Sequence, residues 1–112
     1  MIKQKRVEQE NKATASMATV ETDFVPLADA LASLSTATDM DRFLIDLLTP
    51  AERAAFEERW QIAQMLSKGN ATYRDIATET GASTTTVTRV ARFLFNERHQ
   101  GYRLILDRLS KQ

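Results

Sequence analysis

The stretch Tyr73–Leu94, YRDIATETGASTTTVTRVARFL, decides how this chain is read. It spells two short helices joined by a tight turn. Ile76 and Ala77 are the inward residues of the first. Gly81 supplies the turn, because a residue without a Cβ accepts a positive φ at little cost. Ser83 is placed to cap the second helix through its side-chain oxygen. Along that second helix Val87, Ala91 and Leu94 share one side, with Val90 beside them. Thr85, Thr88, Arg89 and Arg92 share the other. Small inner residues allow two helices to cross closely at a steep angle, as a helix-turn-helix requires. The pattern therefore predicts a helix-turn-helix over about residues 72–96, with the second helix entering the major groove of double-stranded DNA.

Going outward from this stretch, the helices on its N-terminal side carry their own signals. Thr49-Pro50-Ala51-Glu52 is a strong helix start, with Thr49 as N-cap, Pro50 at the first helical position and Glu52 closing a capping box. This helix should run to about Lys68 and end at Gly69. Its apolar face is Ala55, Phe56, Ile62, Ala63 and Leu66, and helical spacing drives Arg59 into the middle of it. A buried arginine needs a partner. Either a carboxylate across a subunit contact supplies one, or Arg59 clamps an anion. Trp60 and Met65 fall off that face, as a second contact surface or as half-exposed residues. Further upstream, Leu27, Ala30, Leu31 and Leu34 keep a helical spacing after Pro26. Thr38 is the expected cap of the next helix, which carries Met40, Phe43, Leu44, Leu47 and Leu48.

On the C-terminal side, the polar run Asn96–Gly101 ends the second helix of the motif. A last amphipathic helix follows, with Tyr102, Ile105, Leu106 and Leu109 on one side. Residues 1–22 are polar and lack apolar periodicity, so a disordered N-terminal tail is expected there, with Met17 as a possible true start. The fold class is thus all-α, with about six short helices in an ordered domain over 23–112.

Composition narrows the function. The 112 residues contain no cysteine and one histidine, which excludes disulfides and thiolate zinc sites. No Ser/His/Asp or metal-ligand constellation appears, and an enzyme is not expected. Neither an apolar membrane span nor a secretory signal is present, so a soluble cytoplasmic protein is the expectation. The net charge of zero conceals an asymmetry. Residues 1–58 hold 6 Lys+Arg against 11 Asp+Glu, and residues 59–112 hold 9 against 4. The basic half contains the helix-turn-helix and suits an anionic partner. Ordinary surface charge is the plainer alternative. The apolar stripes outside the motif exceed what the motif can cover, which points to a homodimer. A two-fold dimer would set two reading helices about 34 Å apart, on successive major grooves.

The run Leu48-Thr49-Pro50-Ala51-Glu52-Arg53, the helix-ending Gly69, and Glu79-Thr80-Gly81-Ala82-Ser83 leading into Thr86-Val87-Thr88-Arg89 together resemble the Trp repressor family, in its TrpR-like YerC/YecD branch. The resemblance covers about residues 25–110. It implies an intertwined homodimer and a DNA-binding transcriptional regulator, with DNA contacts from Tyr73, Arg74, Ser83, Thr84, Thr85, Thr86, Thr88, Arg89 and Arg92. It also implies an effector or anion pocket at Thr49, Arg59 and Arg89, since the two arginines match those that bracket the tryptophan corepressor. The family pattern has glycine where this chain has Val90, and serine where it has Phe93. Both larger side chains should fill the space an indole needs, and overpacking alone costs about 1–3 kcal/mol. Tryptophan is therefore not expected as a corepressor. A non-catalytic helical adaptor, with Trp60, Phe93 and Phe95 as its patch, and an RNA-binding module are the alternative readings.

Overall fold

A computed structural model describes residues 23–111, and the tail expected over 1–22 lies outside them. Six helices follow one another: α1 (Leu27–Ala32), α2 (Ala37–Leu47), α3 (Pro50–Lys68), α4 (Tyr73–Thr80), α5 (Thr84–Phe95) and α6 (Gly101–Ser110). Among the described residues no strand occurs. The chain divides into two compact units after Phe43, inside α2.

In the first unit, Pro26 stands just before α1 rather than inside it. Its carbonyl accepts from Asp29 and Ala30 N–H at 3.0 and 3.1 Å. The cap of α2 is Thr36, whose Oγ1 accepts from Asp39 N–H at 3.1 Å. Thr38, the cap expected from the sequence, instead lies within the first turn. Thr36-x-x-Asp39 places a carboxylate at the third helical position, where the free N–H groups and the positive end of the helix favour it.

The second unit contains every buried residue among those described. Helix α3 opens on a reciprocal capping box: Glu52 N–H donates to Thr49 Oγ1 at 3.1 Å and Thr49 N–H to Glu52 Oε1 at 2.9 Å. It closes at Gly69, whose φ is 73°. Helix α4 repeats the device, with Thr72 and Asp75 exchanging bonds at 3.0 and 3.3 Å. Gly81 then adopts a φ of 79° and its N–H reaches Ala77 O at 2.9 Å. A Cβ built at Gly81 would meet nothing within 4 Å. Glycine is needed there for its backbone angle and not for space.

The core is one cluster: Ile62, Ala63 and Leu66 of α3, Ile76 of α4, and Val87, Val90, Ala91 and Leu94 of α5. The inward and outward sides of α5 are those its sequence predicts. Three neighbours differ. Trp60 and Met65 pack against the cluster, whereas Phe56 is 48% exposed. The covered face of α3 is thus turned towards Trp60. The stripe of α6 also splits: Tyr102 and Leu106 pack on the core, while Ile105 and Leu109 are exposed.

Candidate nucleic-acid interface

The turn between α4 and α5 is tied by short-range bonds that fix how α5 presents its outer side. Thr80 Oγ1 donates to Ile76 O at 2.8 Å and accepts from Ala82 N–H at 3.3 Å. Ser83 Oγ accepts from Thr86 N–H at 3.1 Å and lies 3.1 Å from Thr86 Oγ1. Four buried residues on the inner side of α5 then set its rotation: Val87, Val90, Ala91 and Leu94. A helix pinned at its cap and along one face has little freedom to roll.

The outer side of α5 carries Thr84, Thr85, Thr88, Arg89 and Arg92, all exposed, around a shallow depression of about 310 Å³. Tyr73 and Arg74, in the first turn of α4, are also exposed. Thr86 is half-buried, with its hydroxyl 3.1 Å from that of the exposed Ser83, so these two residues shape the turn at the edge of the exposed face. The depression brings together hydroxyls, methyls and two guanidinium groups. Arginine presents a planar fork of donors that suits phosphate oxygens. Threonine hydroxyls can bond donors or acceptors on base edges, and their methyls suit the thymine methyl.

Two features of the arginines are not apparent in the sequence pattern. The guanidinium carbons of Arg89 and Arg92 stand 4.6 and 4.9 Å from the centroid of the Phe93 ring. Arg92 Nε also lies 3.5 Å from Glu97 Oε2. The spacing of Arg89 and Phe93, four residues apart on one helix, is the signal that could have found the first of these.

A second cavity, of about 410 Å³, adjoins the interface. Arg59, Arg89, Val90, Phe93 and Tyr102 line it, together with His99, Gln100 and Gly101 from the α5–α6 loop and the start of α6. Arg59 and Arg89 are therefore brought together, as expected, while Thr49 is not among the lining residues. Val90 and Phe93 form walls of the cavity rather than closing it. Arg59 is half-exposed and rests over the Phe56 ring at 5.0 Å, a cation–π contact in place of a buried ion pair. His99 is exposed. Among the described residues no group of three or more His, Cys, Asp or Glu side chains could hold a metal ion, and no helix is long and apolar enough to cross a membrane.

Tight αL turn, capped second helix, apolar inner side and polar, arginine-bearing outer side define a helix-turn-helix protein of the kind that regulates through DNA. Residues 23–110 match the family described as Trp repressor protein, and the chain belongs to that family of non-enzymatic DNA-binding regulators. It is 41% identical over 85 residues to the uncharacterized protein YerC of Bacillus subtilis (strain 168), a match covering 76% of this chain and 80% of that protein.

Proposed function

We propose that this protein is a sequence-specific DNA-binding transcriptional regulator, acting as a cytoplasmic homodimer and as a repressor. The observation that carries the reading is the exposed side of α5, where Thr84, Thr85, Thr88, Arg89 and Arg92 meet around one depression while the opposite side is wholly buried. Arg74, Arg89 and Arg92 hold phosphates, which sets register and much of the affinity. Thr84, Thr85 and Thr88 face base edges. No long side chain among these threonines reaches far into the groove, so water bridges and DNA deformability carry part of the specificity.

Support for the dimer comes from apolar surface that a single chain leaves uncovered. Ile45 and Leu47 are 50% and 45% exposed, and Leu44, Leu48, Phe56 and Trp60 line an apolar groove of about 240 Å³. Tryptophan is not the corepressor on this reading. Arg59 and Arg89 each already lie against a ring of their own chain, Phe56 and Phe93, and Val90 and Phe93 stand as walls of the cavity where the family pattern has glycine and serine. Isothermal titration with L-tryptophan should show no micromolar binding.

The deciding experiment is selection of duplex DNA from a random pool, followed by gel shift at two salt concentrations against matched RNA. A recovered consensus bound better than RNA, with affinity falling steeply with salt, is the expected result. Equal binding of RNA, or no binding of either, would leave the reading without support. Arg92→Ala should weaken all duplexes alike and lower the salt slope by about 0.9 for each protomer bound, about 1.8 for the dimer. Thr85→Ala should alter preference at particular base pairs, by about 1–3 kcal/mol for each well-made bond to a base edge. Identical behaviour of the two variants on every sequence would show the assigned roles to be wrong.

A further inference from the structure

One side chain at the edge of the interface has no part yet in reading DNA. Phe93 is half-exposed, lies on the last turns of α5, and lines the larger cavity. Its ring is in contact with both Arg89 and Arg92, at 4.6 and 4.9 Å from centroid to guanidinium carbon. Two like charges gathered at one ring repel each other. Among the described residues, the one carboxylate within ion-pair distance of either arginine is Glu97, 3.5 Å from Arg92 Nε. Among the described residues Arg89 has no acidic partner within ion-pair distance, and the Phe93 ring is the group it rests against. The negative face of an aromatic ring attracts a guanidinium and offsets part of this repulsion. The result is a pair of arginines held in place with excess positive charge beside Thr84, Thr85 and Thr88.

We propose that Phe93 is a positioning residue for DNA binding: its ring fixes the guanidinium groups of Arg89 and Arg92 before a phosphate arrives. A free arginine loses much rotamer freedom when it grips an anion, and a side chain already held loses less. The inference rests on the DNA-binding reading, because the held arginines have a function only if an anionic backbone meets them. A phenylalanine serving apolar packing alone would be replaceable by leucine; one that holds arginines is replaceable by tyrosine and not by leucine.

The test uses the full chain, with Phe93→Leu, Phe93→Tyr, and Phe93→Leu placed in an Arg89→Ala/Arg92→Ala background. In the free protein, NMR should show the δ-methylene protons of Arg89 and Arg92 moved upfield by the ring in the wild type and in Phe93→Tyr, and at ordinary positions in Phe93→Leu. On a duplex recovered from a random pool by the wild type, the freedom that two unheld arginines lose on gripping phosphate corresponds to about 5- to 150-fold weaker binding per protomer for Phe93→Leu, with Phe93→Tyr within about twofold of wild type. Phe93→Leu should have no further effect on binding once both arginines are gone. Unshifted arginine protons, wild-type affinity in Phe93→Leu, or an undiminished loss in the arginine-free background would each overturn the positioning role. Shifted protons with no duplex recovered at all would instead bring down the DNA-binding reading, and the positioning role with it.

Discussion

Helices α4 and α5 carry 9 apolar residues in 20, fewer in proportion than the 11 in 17 of helices α1 and α2, and yet the two pairs come to opposite ends. The first pair buries Ile76, Val87, Val90, Ala91 and Leu94 against α3 within one chain. The second pair buries nothing: Leu27, Ile45 and Leu47 remain 45–52% exposed. The contrast teaches that the described residues of one chain complete the helix-turn-helix but leave α1 and α2 without a buried side chain. Small inward residues suffice where two helices cross over a third. Long apolar stripes need a partner surface of comparable length, which the proposed second copy supplies.

The sharpest way to break this comparison is to empty the self-sufficient part. Leu94→Ala removes a side chain that is 1% exposed, and large-to-small changes at such sites cost about 2–5 kcal/mol. Urea unfolding should show that loss; a change below about 1 kcal/mol would mean that the core lies elsewhere. Next comes the exposed part. In an isolated chain Ile45→Glu should shift stability by no more than about 0.5 kcal/mol. In a dimer that buries Ile45 it should raise the dissociation constant at least about tenfold, or 1.4 kcal/mol, visible by sedimentation at micromolar concentration. A wild type that sediments as a monomer would remove the basis for the contrast.

Two smaller effects test the turn that makes the first region self-sufficient. Gly81→Ala forces a Cβ into a left-handed backbone and should cost about 1–2 kcal/mol, although no neighbouring atom obstructs it. Ser83→Ala removes the cap of α5 and should cost about 1 kcal/mol in thermal or urea unfolding. Glycine at 83 should recover most of that loss, since glycine at a cap differs from serine by only a few tenths of a kcal/mol.

The parts of the fold that local rules govern were legible. Thr49 with Glu52, Thr72, Ser83, Gly69 and Gly81 all act within four residues of themselves, so their roles follow from spacing. Thr36 was equally within reach, by the same threonine-x-x-acid pattern that Thr72 and Asp75 follow. Which way α3 turns its stripe was not. A helix with apolar residues around more than half its circumference has several faces to offer, and only the neighbours decide that Trp60 goes in and Phe56 stays out. The interface divides the same way. Periodicity separates Thr85, Thr88, Arg89 and Arg92 from the core side. It carries no information on side-chain rotamers, which place both guanidinium groups on Phe93 and leave a cavity beside Val90.

Gln100 is, among the described residues, the one side-chain-bearing position with a positive φ, 55°, and it stands at the threshold of α6. Its Nε2 donates to Glu97 O at 2.6 Å, a clasp that closes the preceding loop on itself. A left-handed backbone in a residue with a Cβ stores roughly 1–2 kcal/mol. The joint between α5 and α6 is thus a strained corner whose side-chain amide is spent on its own loop, at the wall of the arginine-lined cavity.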